Sequence, residues 1–336
     1  MKREAGNGSD RPEKIAVAIT VFGLAAFSYL RRFPGFVEVP YWYLTYTSGF
    51  IRRGLVGTFV SPFIVGLPPQ QALVFISGLC TLLAAVYLAV VAILAAIVYE
   101  ALESRPRQLL WLALVAVALA SPGLPMLAND FGTFDPLIAL VAALVTIAAF
   151  RCAFWSAMAL SVIGPLVHEA FFFLALPLLG GIWWGWDRCR HTAIVSAATI
   201  ISMTLITWKF STADFHWQPG IPLAPSDLMA FAHWQLGQSV VLSGWPDVEP
   251  SVWFWALGST SAMIALLWPV VMHQPRWACT RVLAGTLFTV SILIIATDTE
   301  RLLDWACLTA PMLCGIEALR DGRSLRTAGT DRRAVG

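Results

Sequence analysis

The chain has 336 residues, of which 58% are hydrophobic and 12% charged, whereas soluble domains carry about 25% charged residues. Its mean hydropathy is +0.73 and its formal net charge only +2. The composition excludes a soluble enzyme domain and a disordered chain; the net charge says little, because its distribution matters more than its sum, and no nucleic-acid partner is expected.

Several apolar runs approach the ~20 helical residues needed to cross a hydrocarbon core. Helices are the only open-ended elements that satisfy their own backbone in lipid. The expected fold is all-α, a polytopic transmembrane bundle of about ten spans with re-entrant or interfacial helices on its outer face.

Residues 1–14 form a polar, basic tail, expected in the cytoplasm. Ile15–Leu30 follows as the first span; without a small-residue cleavage site before Arg31 it reads as uncleaved. The loop 31–71 contains the apolar run Gly54–Gly66, which holds Gly57 and Pro62 and is short for a span. An interfacial or re-entrant segment is expected there; if it spanned, the N-terminus would change sides. Spans two to four are Ala72–Tyr99, Leu109–Leu127 and Leu137–Phe150. Spans five and six are Ala153–Leu166 and Ala170–Trp186, separated by His168-Glu169. Ala193–Trp208 is the seventh. The loop 209–251 carries Trp217, Trp234 and Trp245, and Ser226-Asp227 marks a helix start suited to the outer leaflet. Val252–Met272, Val282–Ala296 and Leu302–Leu319 complete the set, and residues 320–336 form a cytoplasmic tail. Residues 15–319 thus make a single membrane domain.

The distribution of Arg and Lys orients these spans, because basic residues collect on the cytoplasmic side of a bacterial inner membrane. With both termini inside, 16 basic residues fall inside and 6 outside, and downstream of residue 72 the division is 12 to 2. The six cysteines lie in apolar runs or at their inner ends, with no metal-binding Cys/His spacing.

On this topology the polar residues near the outer surface are candidates for function, since charges beside hydrocarbon are costly. Arg52 and Arg53 sit on the side where Arg is disfavoured. Arg forks onto phosphate bidentately and stays charged near lipid, so an anion site competes with simple snorkelling to headgroups. His168-Glu169 is enclosed by apolar sequence on both sides. The pair reads as lining a recessed cavity opened by a break at Gly164-Pro165, or else as a short solvated turn. Asp135 before Pro136 reads as a helix N-cap, a role that a pocket-facing residue can share. Asp130 has no such role. Thr297 and Glu300 match a capping box, which leaves Arg301 to pair with Asp298 or Asp304 or to face a phosphate beside Arg52 and Arg53. Glu38 is the only acid of the first outer loop.

The stretches GFIRRGLVG, NDFGTFDP, VHEAFFF and TDTERLLD, in that order, resemble a group of largely uncharacterised bacterial multi-pass proteins. Their layout is similar to C-type membrane glycosyltransferases and surface-polysaccharide polymerases. The resemblance implies lipid-linked sugar substrates, an outward active site and often a divalent cation. The first-loop Asp of that family is not evident here. This shifts the expected catalytic carboxylate to Glu169, Asp130 or Asp135, with His168 as base or hydrogen-bond donor and Glu38 behind them. Arg52, Arg53 and Arg301, with Asp298 and Glu38 beside them, are the expected phosphate and substrate contacts. The partners implied are membrane lipids and a polyprenyl-phosphate sugar. Two other readings fit the same residues: a transporter or flippase for an anionic lipid or solute, and a non-catalytic assembly protein.

Overall fold

The computed structural model describes residues 42, 43, 45, 46, 54–121, 133–168, 170–183, 189–210, 250–291 and 299–334. The described residues form helices and their connections, with no strand among them. In chain order these are α1 (Gly54–Ile64), α2 (Pro69–Ala101), α3 (Arg105–Ala120), α4 (Asp135–Phe150), α5 (Phe154–Val167), α6 (Ala170–Trp183), α7 (Cys189–Phe210), α8 (Pro250–Val270), α9 (Pro275–Val290) and α10 (Thr299–Ala334). The expected first span and the helix from Ser226 lie outside the described residues.

The all-helical class is as expected, but the span lengths are not uniform. Among the described residues, two helices are long and apolar enough to cross a membrane: α2 and residues 253–270 of α8. Helices α4, α5 and α6 hold 16, 14 and 14 residues, about 21–24 Å at 1.5 Å per residue, which is less than a ~30 Å hydrocarbon core. The reason is local. Sharp reversals after Phe150 and at His168 end α4 and α5, and apolar residues beyond each reversal belong to the next helix. The run Gly54–Gly66 becomes the 11-residue α1, about 16 Å long, and ends where Gly66 takes φ +84°.

Helix α4 is the hub. It is apolar on every face and buried on nearly every face, as expected of a helix with neighbours all round. Ala139, Ala142, Ala143 and Ala148 are buried along it, and small side chains let α2, α5 and α6 approach closely. Its C-terminus turns sharply into α5: Ala153 N–H donates to the Ala148 carbonyl (2.9 Å) and Cys152 N–H to that of Ala149 (3.1 Å). This is the paired closure of a Schellman turn, with Cys152 in the left-handed position at φ 60°. Helix α10 is the second hub, packing on α8, α9, α6 and α2. Thr289 Oγ1 stands 3.0 Å from the Phe173 carbonyl and 3.1 Å from Thr309 Oγ1, tying α9 to α6 and α10. Helix α7, by contrast, leaves Ile200, Ile201 and Leu205 exposed.

The short turns fix which helix ends share a side. Asp135, His168, Phe171 and the start of α10 lie at one end of the bundle. Ala101, Arg107, Phe150, Gly181, Val270 and the Glu317–Asp321 turn of α10 lie at the other. In the described helices Arg105, Arg107, Arg151, Arg190, Arg276, Arg281 and Arg320 fall at this second end, and Lys209 and Arg301 at the first.

Candidate functional site

Helices α4 and α5 are antiparallel neighbours of nearly equal length. The first residue of α4 and the residue after α5 therefore meet the same end of the bundle. Those residues are Asp135 and His168, and both are buried.

The cap position of α4 is held by Phe134, with Asp135 in the first turn and Pro136 following it. Asp135 is thus one residue inside the helix rather than its cap, and its own N–H lies 3.4 Å from Thr133 Oγ1. A carboxylate in a first helical turn lies beside the exposed N–H groups and the positive end of the helix dipole.

His168 ends α5 with an extended backbone. Pro165 is accommodated within the last turn of the helix, so the break falls at His168 and not at Gly164-Pro165. Gly164 matters for another reason, since a Cβ there would overlap the ring of Phe171. The absence of a side chain lets α6 fold back directly against α5. Across this reversal the Ala170 N–H donates to His168 Nδ1 at 3.0 Å, and the Phe171 N–H donates to the His168 carbonyl at 3.1 Å. His168 therefore caps α6 with its ring. Because a backbone N–H can only donate, Nδ1 is an acceptor, and the proton of the neutral ring resides on Nε2. His168 is set up as a buried N–H donor, and not as a base through Nε2.

A segment of the first loop closes over this end. Trp42 packs edge-on against Phe134 with ring centroids 5.1 Å apart. The Tyr46 N–H donates to Thr58 Oγ1 on α1 at 2.9 Å, and its hydroxyl reaches the Leu166 carbonyl at 3.5 Å. Trp42, Tyr43 and Thr45 are buried. Burial pushes the Tyr46 phenol up to about 12 and raises that of Tyr43, so both remain neutral donors at physiological pH. The Tyr43 hydroxyl and, on α10, the Trp305 indole N–H are buried without a hydrogen-bond partner among the described residues. Sequence reading passed over Trp42–Tyr46. Its signal was a dense aromatic cluster, Tyr41-Trp42-Tyr43 with Tyr46, placed directly before Arg52-Arg53.

Of the expected site residues, the described structure thus brings Asp135 and His168 to one end. Arg301 lies in the first turn of α10, which belongs to that same end. Glu169, Asp130, Arg52, Arg53, Asp298 and Glu38 lie outside the described residues. No cluster of three His, Cys, Asp or Glu able to hold a metal forms among the described residues. Asp135 and His168 alone do not make such a site.

The opposite end holds charged networks that the sequence reading did not single out. The Asp321 carboxylate pairs with the buried Arg107 guanidinium and accepts the His273 N–H at 2.6 Å. Arg107 Nε also donates to the Val270 carbonyl at 2.6 Å. One turn away, Glu317 accepts two bonds from Arg281 (2.7 and 2.6 Å) and two from Arg320 Nη1 (2.7 and 2.8 Å), while Arg320 Nη2 caps the Gly181 carbonyl. These bonds lock α3, α6, α8, α9 and α10 together. Their use of every carboxylate oxygen marks them as structural. Glu317 and Asp321, four residues apart on one helical face at the end of an apolar run, were the available signal. Comparison with known protein families, with curated proteins and with solved structures finds no match to this chain.

Proposed function

We propose that the chain is an integral membrane glycosyltransferase-like protein of the bacterial cytoplasmic membrane. It takes a sugar from a polyprenyl-phosphate carrier at an outward, periplasmic-facing site and serves surface-glycan synthesis. The observation that carries this reading is the presence, at one end of the bundle and beside an aromatic cover, of a buried carboxylate, Asp135, and a buried imidazole N–H donor, His168.

The crowding of Arg at the opposite end supports placing that end in the cytoplasm, with both termini there. In the reaction the acceptor oxygen attacks the anomeric carbon as the bond from that carbon to the phosphate oxygen breaks. The acceptor's proton passes to a carboxylate, supplied by Asp135, Glu169 or Asp130. Charge accumulating on the departing phosphate is met by the His168 Nε2–H and by Arg52, Arg53 and Arg301, with Asp298 and Glu38 orienting the substrate. The unfilled Tyr43 hydroxyl and Trp305 N–H are suited to sugar hydroxyls. A transporter would be expected to carry charge near mid-membrane, whereas the ion pairs among the described residues gather at one end.

The test is surface glycan in cells carrying Glu169→Gln or Arg53→Ala at normal protein levels. Loss is expected with either; unchanged glycan with both refutes the transferase.

A further inference from the structure

We infer that the cleft between α2 and α3 is a binding site for an anionic phospholipid, with its acyl chains in the cleft and its phosphate at Arg151. This rests on the membrane placement proposed above, but not on the transferase chemistry. Arg151 closes α4 at the end opposite Asp135, about 24 Å away, so this lipid is not the sugar carrier of the proposed site.

The cleft arises because α2 and α3 form a hairpin whose arms take different partners. Helix α2 packs mainly on α4 and α10, and α3 mainly on α8. The hairpin is pinned at its vertex, where Gln108 Nε2 donates to the Leu102 carbonyl (2.9 Å) and Trp111 Nε1 to that of Ala95 (3.0 Å). Beyond this point the arms splay. Helix α10 floors the gap with Leu308, Met312 and Ile316 around Gly315, where a Cβ would come no nearer than 3.5 Å to Trp111 and 3.8 Å to Val98. The resulting cavity measures about 810 Å³, with a mainly apolar lining that runs from Tyr87 to Val98 on α2. Exposed Ile93 and Ile97 are part of that lining.

The cleft follows α2 for about 17 Å, from Tyr87 to Val98, a length and an apolar lining suited to acyl chains. Charge selects the headgroup. Arg151 is exposed where it lines the cavity and makes no ion pair among the described residues, and its guanidinium is suited to a phosphate.

The full chain, purified from membranes, is reconstituted in vesicles of phosphatidylcholine and phosphatidylglycerol. A trace of phosphatidylglycerol carries a photoactivatable diazirine in mid-chain. After irradiation, labelled peptides are expected to concentrate several-fold on residues 87–98, 111–119 and 307–319 over the exposed face of α7. Ala118→Trp, which fills the cleft from its partly exposed wall, is expected to reduce that labelling at least fivefold; Leu94→Trp does the same from the other wall if the first variant does not fold. Arg151→Ala is expected to lower labelling to that given by a phosphatidylcholine probe. Even labelling of all apolar faces, indifference to the filling variants, or crosslinks to a second protein chain overturns the site. Recovery of the chain in the soluble fraction overturns it together with the membrane placement, whereas an unchanged surface glycan in the variants of the transferase test leaves it standing.

Discussion

The Arg107–Asp321 pair gives the sharpest test of what holds the bundle together. Its side chains are only 5% and 1% exposed, and Asp321 also accepts the His273 N–H. One carboxylate therefore joins α3, the α8–α9 turn and α10. In Asp321→Asn the shape is kept and an amide oxygen can still accept from His273, but the Arg107 charge loses its counter-ion. Breaking one side of a buried pair costs about 3–5 kcal/mol, and the retained bond places this change near 3. That is a sizeable share of a total of about 5–15 kcal/mol. At ~2 °C per kcal/mol for a long chain, the melting temperature should fall by about 6 °C. Unfolding of the detergent-solubilised chain, followed by tryptophan fluorescence, reads this directly. The double variant Arg107→Met/Asp321→Leu removes both charges. It should recover most of the loss, less about 1 kcal/mol for the Arg107 bond to the Val270 carbonyl. A shift under 2 °C for Asp321→Asn, or a double variant no better than the single, refutes the view that uncompensated charge dominates.

Three further changes separate other roles. His168→Asn keeps a side-chain acceptor for the Ala170 N–H but lacks the Nε2 donor. Its melting temperature should stay within about 2 °C of the wild type, a shift worth ~1 kcal/mol, while surface glycan is lost; retained glycan removes His168 from the chemistry. Gly164→Ala drives a methyl into the Phe171 ring and should destabilise by about 1–3 kcal/mol; Gly164→Ala/Phe171→Leu should regain part of it, and melting curves of the two check this. Cys152→Gly relieves the left-handed backbone at φ 60° and should raise stability by about 1 kcal/mol; an unchanged or lower melting temperature argues against strain there.

Much of the helical layout was legible in sequence because apolar runs and punctuating residues are local signals. Helices α3 and α9 begin before the expected spans at Leu109 and Val282, at Arg105-Pro106 and at Pro275, because a polar first turn carries no hydropathy signal. The expected spans four, five and eight lie within two or three residues of α4, α5 and α8. Span length was less legible, since an apolar run records only that a segment avoids water, and a helix buried among others is as apolar as one that crosses lipid. The protonation of His168 was not legible at all. It depends on the Ala170 N–H folding back onto Nδ1, which depends in turn on Gly164 admitting the Phe171 ring.

The sequence alone determined that this chain is helical and apolar, and that its basic residues alternate with the turns so as to collect at one end. Those properties follow from composition and period, which act over a few residues. Only the tertiary structure decided that Asp135 and His168 share the opposite end, that Trp42–Tyr46 covers it, and that Glu317 and Asp321 are spent on Arg107, Arg281 and Arg320. These partners are separated by tens to hundreds of residues. Their meeting is fixed by helix packing, which leaves no periodic trace in the chain.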